Sequence, residues 1–216
     1  NAAKVIIITA DQAENYVTDG AVYVYDDEDD EEPNSAIFSK SYIAFGGTGR
    51  LTVNAGFADG ITGKDGLVIK SGTVHVNAAD DGIRGKDYIV IHDGDLTIVS
   101  KGDGLKSDND SDTSLGYIAI EKGAINISSS GDALSAATDI QITFAEITIV
   151  TGGGSTGATS TGSAKGIKCQ GSLVIEDGVF NINSLDDALH SDASVRLNGG
   201  AFSIATGDDA VHGDAV

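Results

Sequence analysis

The sequence predicts an all-β solenoid: a right-handed parallel β-helix of 22-residue coils. Three observations predict it: a repeat of fixed period, alternating apolar residues inside each repeat, and a glycine-rich, proline-poor composition. Gly60-Ile61, Gly82-Ile83 and Gly104-Leu105 open similar segments, and 82 minus 60 and 104 minus 82 both give 22. Gly166-Ile167, Ala188-Leu189 and Ala210-Val211 repeat that step later. Ala133-Leu134 stands between the two series; steps of 29 and 33 on either side give one coil 7 extra residues and the next 11. A fixed period of this length is the signature of stacked repeats.

Each coil has the same order of parts. A short piece such as 82–85 leads into a strand, Tyr88 to Ile91, then a turn at Asp93-Gly94 and a second alternating stretch, Leu96 to Ile98. Alternation sends every second side chain to one face. Stacking lines up Ile61, Ile83, Leu105, Leu134, Ile167, Leu189 and Val211 in one inward column. Leu67, Ile89, Ile118, Ile140, Leu173 and Val195 form a second, and Val74, Leu96, Ile125, Ile147, Phe180 and Phe202 a third. Three short strands per coil describe a triangular solenoid, and parallel connections are right-handed. The turns do not match two-residue hairpin chemistry, and a nine-residue calcium β-roll has the wrong period.

Residues 36 to 58 read as an earlier coil with Ile37, Ile43, Phe45, Leu51 and Val53 inward, and Lys4 to Tyr25 as one more. That makes roughly eight coils, about 40 Å long at ~4.8 Å per coil. The 216 residues form a single domain, with inserted loops near 26–35, 107–114 and 151–163. The chain starts at Asn1 without Met or a signal pattern and reads as a processed or trimmed piece that continues at one end or both.

Composition narrows the function. There are 29 Gly, one Pro and one Cys, and 33 Asp and Glu face 13 Lys and Arg, for a net charge of -20. Nucleic acid is a poor partner for such a chain, because its affinity rests on basic contacts to phosphate. One cysteine excludes a disulfide framework, and no apolar run is long enough for a membrane span. Cys169 shares its column with Gly63, Gly85, Ser107, Ala136, Ser191 and Gly213, a small and packed place rather than a nucleophile's.

The candidate metal ligands precede each coil's first strand. Asp59, Asp81, Asp103, Asp132, Lys165, Asp187 and Asp209 share one column, doubled by Asp80, Asp186 and Asp208. Stacked carboxylates about 5 Å apart repel, so the ladder calls for counter-ions, and calcium takes six to eight oxygens. The groups Asp59, Asp80, Asp81, Asp103 and Asp186, Asp187, Asp208, Asp209 are the calcium candidates, against the alternative that Asp and Gly simply favour turns. The 7-residue insert adds Asp108, Asp110 and Asp112, in the spacing that opens a calcium loop but without an EF-hand's later Gly and Glu; a solvated loop is the alternative. The acidic run Asp26 to Glu32 reads as solvated, and Thr151 to Gly162 as a flexible Gly/Ser/Thr loop.

Two outward columns suggest a ligand surface. Lys40, Lys64 and Lys86 align, beside Thr62, Arg84, Lys106, Ser135, Lys168, His190 and His212. Lys64, Arg84, Lys86, Lys106 and Lys168 either balance the aspartate ladder or form a groove for an acidic polymer. Tyr42, Gly66, Tyr88 and Tyr117 form the second column; the tyrosines offer flat faces to sugar rings, or simply stabilise a parallel sheet.

Asp-Asp-Gly-Ile-Arg-Gly-Lys-Asp at 80–87, Asp-Asp-Ala-Leu-His-Ser-Asp at 186–192 and Asp-Asp-Ala-Val-His-Gly-Asp at 208–214 resemble the signature coils of a bacterial family. It is the cell-surface carbohydrate-binding β-helix family of plant-wall-degrading clostridia, and Glu-Pro-Asn-Ser-Ala-Ile-Phe-Ser-Lys at 32–40 also fits it. The resemblance covers nearly the whole chain. It implies a fold similar to family 9 pectate lyases, bound calcium, binding of cellulose and acidic plant sugars such as polygalacturonate, and a secreted or surface-attached location. Those lyases carry a further Asp three places after the pair, where this chain has Arg84, His190 and His212. The leading expectation is therefore a non-catalytic, calcium-binding module for plant cell-wall polysaccharide. A calcium-dependent lyase with Arg84, Lys86 or Lys106 as base is the runner-up, and a purely structural solenoid the third reading.

Overall fold

The computed structural model describes residues 4–25, 32–158 and 162–215. Every regular element among them is a β-strand, and the strands pair in parallel. Among the described residues no helix is long and apolar enough to cross a membrane.

The strands stack in three ladders, one for each strand of a coil. The first ladder runs through Ser35–Ser39, Asp59–Gly63, Ile83–Gly85, Leu105–Ser107, Leu134–Ala136 and Ile167–Cys169, then the start of Leu189–Leu197, to Val211–Ala215. The second runs from Lys4–Thr9 through Tyr42–Gly47, Gly66–Ile69, Tyr88–Ile91, Tyr117–Ile120, Ile140–Ile142 and Ser172–Ile175 to the far half of Leu189–Leu197. The third is an eight-stranded sheet from Glu14–Thr18 to Ala201–Thr206. The nine-residue strand Leu189–Leu197 belongs to both of the first two ladders and joins them in one 15-stranded sheet. This is a parallel β-helix.

The inward columns pair as the sequence predicts. Ile61 lies opposite Ile83, Leu67 opposite Ile89, and Val74 opposite Leu96; each offset is 22 residues. Ile61, Leu67, Ile83, Ile89, Leu96, Leu105 and Ile118 are fully buried, and burying a side chain of this size stabilises by about 1.5–3 kcal/mol. Near the carboxyl-terminal end, Phe180 and Phe202 stack at 4.7 Å. Among the described residues the earliest segment supplies a second and a third strand, Lys4–Thr9 and Glu14–Thr18, on the coil of Tyr42 and Arg50. Val22 and Val24 beyond them are exposed.

Corner glycines follow from close approach of one coil to the next. A Cβ on Gly82 would sit 2.4 Å from Ile98 Cγ2 and 2.6 Å from the Gly104 carbonyl oxygen, so a side chain there would push adjacent coils apart. The 7-residue insert links a first strand, Leu105–Ser107, to a second, Tyr117–Ile120. The 11-residue insert follows a third strand, Ala145–Thr151. Its described part is fastened by the Ser155 N–H donating to Asn183 Oδ1 at 2.7 Å and the Gly157 N–H to Gly154 O at 2.8 Å. Residues 26–31 of the acidic run and 159–161 of this insert lie outside the described residues.

Candidate functional site

The aspartate column is a hydrogen-bonded ladder. Asp81 N–H donates to Asp59 Oδ1 at 3.2 Å, Asp103 N–H to Asp81 Oδ1 at 2.8 Å, and Asp132 N–H to Asp103 Oδ1 at 2.8 Å. Lys165 N–H continues it to Asp132 Oδ1 at 2.8 Å, and Asp209 N–H donates to Asp187 Oδ1 at 3.0 Å. One oxygen of each rung therefore accepts the backbone N–H of the next coil's rung, and that donor needs a partner. Asp59, Asp81, Asp132 and Asp187 are buried.

The second oxygens meet the chain's own cations. Lys106 Nζ lies 3.1 Å from both Asp81 and Asp103, Lys168 Nζ 3.3 Å from Asp132, and Lys165 Nζ 2.8 Å from both Asp186 and Asp187. Arg84 pairs with Asp108 and lies 3.9 Å from Asp59. His190 Nδ1 is 2.8 Å from Asp187 and its Nε2 2.9 Å from Asp192, while His212 Nδ1 is 3.2 Å from Asp209. Of the five predicted basic residues, Lys64 pairs with Glu32, and exposed Lys86 has no ion pair among the described residues. Of the strip, Lys106 and Lys168 thus rest on the ladder, while Arg84 turns mainly to Asp108.

Titration follows this arrangement. Burial, with Asp81 beside it, raises the Asp59 carboxyl to about 6. Burial likewise raises Asp80 and Asp103 above the usual carboxylate value. Burial alone would lower Lys106, but Asp103 and Asp81 outweigh it and hold the ammonium well above the ordinary lysine value. Burial would raise Asp187, yet hydrogen bonds from Lys165, His190 and the Asp209 N–H hold it below. Burial pushes the Cys169 thiol up to about 12, and its Sγ donates to Gly171 O at 3.4 Å, which is packing chemistry.

The predicted metal ligands separate into those that converge and those that do not. Among the described residues, the one group of three converging carboxylates is Asp186, Asp187 and Asp208, whose oxygens lie within 4.8 Å of one another. Asp59, Asp80, Asp81 and Asp103 form no such group, and neither do Asp108, Asp110 and Asp112. In the 7-residue insert Asp108 turns onto Arg84, and Asp112 Oδ1 accepts from the N–H and Oγ of Ser114 at 2.9 and 2.7 Å. The residue that organises this loop is Asn109. Its Oδ1 accepts from Ser111 N–H, Ser111 Oγ and Asp112 N–H, while Nδ2 donates to Asp87 at 2.7 Å. Sequence reasoning passed over Asn109 because it lies between the acids of a familiar spacing.

The tyrosine column behaves differently from a row of open platforms. Tyr88 and Tyr117 stack on each other at 5.4 Å with 14° between their planes. Tyr88 leans over Gly66, where a Cβ would come within 2.0 Å of its ring. Tyr42 holds the next place beyond Gly66, half-buried.

The fold is thus a parallel β-helix whose acid ladder is paired in part to lysines and whose outward face carries a tyrosine stack. The profile of the carbohydrate-binding domain family, described as "Carbohydrate-binding domain-containing protein", matches residues 1–210, and the chain belongs to that family. A relative of that description from Acetivibrio thermocellus is 41% identical over 78 residues, 36% of this chain and 27% of the relative. A solved structure described as the polysaccharide lyase-like protein from C. thermocellum, gadolinium derivative, superposes with a TM-score of 0.68 at 32% identity. It covers 83% of this chain and 65% of that one, so the chain spans only part of the length of either relative.

Proposed function

We propose that this chain is a non-catalytic binding module for plant cell-wall polysaccharide, cellulose and polygalacturonate-type acidic sugars included, working in a secreted or surface-attached protein. Family membership supports carbohydrate as the ligand. The observation that carries the non-catalytic reading is the state of the basic strip. Proton abstraction needs a base whose pKa is brought down toward the working pH. Lys106 is held up between Asp81 and Asp103, and Arg84 is raised by Asp108 against the effect of burial.

Calcium belongs to the same reading. The oxygen-only set Asp186, Asp187 and Asp208 fits the donor chemistry of a hard cation, although the Lys165 ammonium rests on two of the three carboxylates. Calcium there would tie adjacent coils together in place of, or beside, that lysine. The lyase-like description of the solved relative favours a second reading, for which exposed Lys86 is the base left without an ion pair among the described residues. Pull-down on cellulose and on immobilised polygalacturonate tests the module; retention on neither refutes it. Ultraviolet absorbance of unsaturated product from polygalacturonate, if it appears and is lost in Lys86→Gln, replaces it with the lyase.

A further inference from the structure

The 7-residue insert builds one wall of a groove of about 220 Å³ at the end of the tyrosine stack. Thr113 and Ser114 of the insert form that wall, Tyr117 and Ala119 form the floor, and Thr138, Asp139 and Gln141 of the following coil close the far side. Tyr88 covers one face of the Tyr117 ring. Thr138, Asp139 and Gln141 come from the coil on the side of Tyr117 away from Tyr88, since Ala119 pairs with Gln141 and the Ile118 N–H donates to Asp139 O at 3.0 Å. The free face of Tyr117 therefore looks into the groove.

We propose that this groove binds a single neutral pyranose unit of a polysaccharide, stacked on Tyr117. The inference rests on the carbohydrate-binding reading above and gives it a location and a sugar class. An aromatic floor with hydroxyl, amide and carboxylate groups around it matches a sugar ring, which is apolar on its faces and polar at its rim. Asp139 Oδ1 already accepts the Ser172 N–H at 2.7 Å, so the carboxylate is held in place before any ligand arrives. The insert wall is equally fixed. Asn109 pins its start, the Leu115 N–H donates to Asp112 O at 2.9 Å, and Thr138 Oγ1 donates to Leu115 O at 2.6 Å across the coils. A preformed wall lowers the ordering cost of binding.

Charge selects the neutral sugar. No Lys or Arg lines the groove, whereas Asp139 does, and Asp112 stands behind Ser114. A galacturonate carboxylate placed there would meet like charge, while the hydroxyls of an uncharged pyranose would donate to Asp139. A larger groove of about 300 Å³, lined by Asn54, Asn77 and Lys101 among others, has no aromatic floor and is a poorer match.

The test is titration calorimetry of the whole chain with cellohexaose and with hexagalacturonate, on the parent, Tyr117→Ala, Tyr117→Phe and Ala119→Leu. Ala119→Leu fills the groove and leaves the Tyr88–Tyr117 stack alone; circular dichroism checks that each variant folds. Cellohexaose affinity falls about three- to tenfold in Tyr117→Ala and by a similar factor in Ala119→Leu, with Tyr117→Phe close to the parent and hexagalacturonate indifferent to all three. A parent that binds cellohexaose while folded Ala119→Leu binds it equally well overturns the groove but leaves the carbohydrate-binding reading standing. A parent that binds neither oligosaccharide nor either polymer overturns both.

Discussion

Replacing Asp132 asks whether the acid ladder holds the coils together through hydrogen bonds or through charge. Its Oδ1 accepts the Lys165 N–H at 2.8 Å and Ser163 Oγ at 2.6 Å, and its Oδ2 faces Lys168 Nζ at 3.3 Å. Asp132→Ala strands the Lys165 N–H at the corner where the 11-residue insert rejoins the body. A buried donor left without a partner costs about 1–3 kcal/mol. The Lys168 ammonium, a third exposed, adds about 0–1 kcal/mol at most. Asp132→Asn keeps a carbonyl oxygen for Lys165 and loses only the charge, so it should cost about 1 kcal/mol or less. For a chain of this length 1 kcal/mol moves the melting temperature by about 2–4 °C. The alanine variant should melt about 2–16 °C below the parent, and further below it than the asparagine variant, which stays within about 4 °C. Thermal melts followed by circular dichroism in chelator measure both. Equal losses for the two substitutions would show that charge, not the N–H acceptor, is what the rung supplies, and the hydrogen-bond account of the ladder would fail.

Three further outcomes follow from the same geometry. Because the folded Asp59 carboxyl titrates near 6 rather than at its ordinary 3.8, the folded state binds this proton more tightly than the unfolded chain. Stability from this group therefore rises as pH falls through about 6 toward 4, by up to about 3 kcal/mol. The difference in melting temperature between Asp59→Asn and the parent should shrink over that window, and a constant difference contradicts the assignment. Lys165→Gln frees Asp186, Asp187 and Asp208 for a divalent ion, so millimolar calcium should raise its melting temperature more than the parent's; identical responses in the two proteins count against calcium at this set. Gly66→Ala should cost about 1–3 kcal/mol by displacing the Tyr88 ring, and a Tyr88→Ala change should relieve most of that loss in a double-mutant cycle; additive losses would mean that the ring is not what the new methyl meets.

The columns were legible in the sequence because parallel stacking in register places identical positions of successive coils side by side. Ile61 over Ile83 over Leu105 follows from period and alternation alone. The early coil was harder to read: Lys4–Thr9 and Glu14–Thr18 carry the alternation, but residues 19–25 that follow form no strand of the first ladder. The acid column was legible as a column, yet its chemistry was not. Sequence shows stacked carboxylates and their repulsion, while the relief comes from directions a sequence lacks: which oxygen points along the solenoid to the next N–H, and which points sideways to Lys106 or Lys168. Lys165, which interrupts the column, is the clue that a cation can stand in the ladder itself, and the structure places its ammonium on Asp186 and Asp187.

The same reasoning explains why the tyrosines could be found but not their usable face. Each tyrosine was placed outward by its position before an inward apolar residue, and a row of outward rings at one coil spacing suggests a row of platforms. Rings one coil apart instead cover one another: Tyr117 covers Tyr88, and Tyr88 fills the space that Gly66 leaves vacant. Only an interruption of the aromatic column bares a face. That interruption comes after Tyr117, where the following coil offers Asp139 in place of another aromatic residue, and it coincides with the insert that raises a wall beside it. Lengthening the stack by Asp139→Tyr should therefore close the groove, lowering cellohexaose affinity about three- to tenfold, because the new ring would cover the face that Tyr117 presents. Removal of Asp139 also takes away the acceptor of the Ser172 N–H, so Asp139→Asn serves as the control that keeps the oxygen without adding a ring. Calorimetry on both variants separates the effects: if Asp139→Tyr folds and binds cellohexaose as well as Asp139→Asn does, the bare face of Tyr117 is not where the sugar rests.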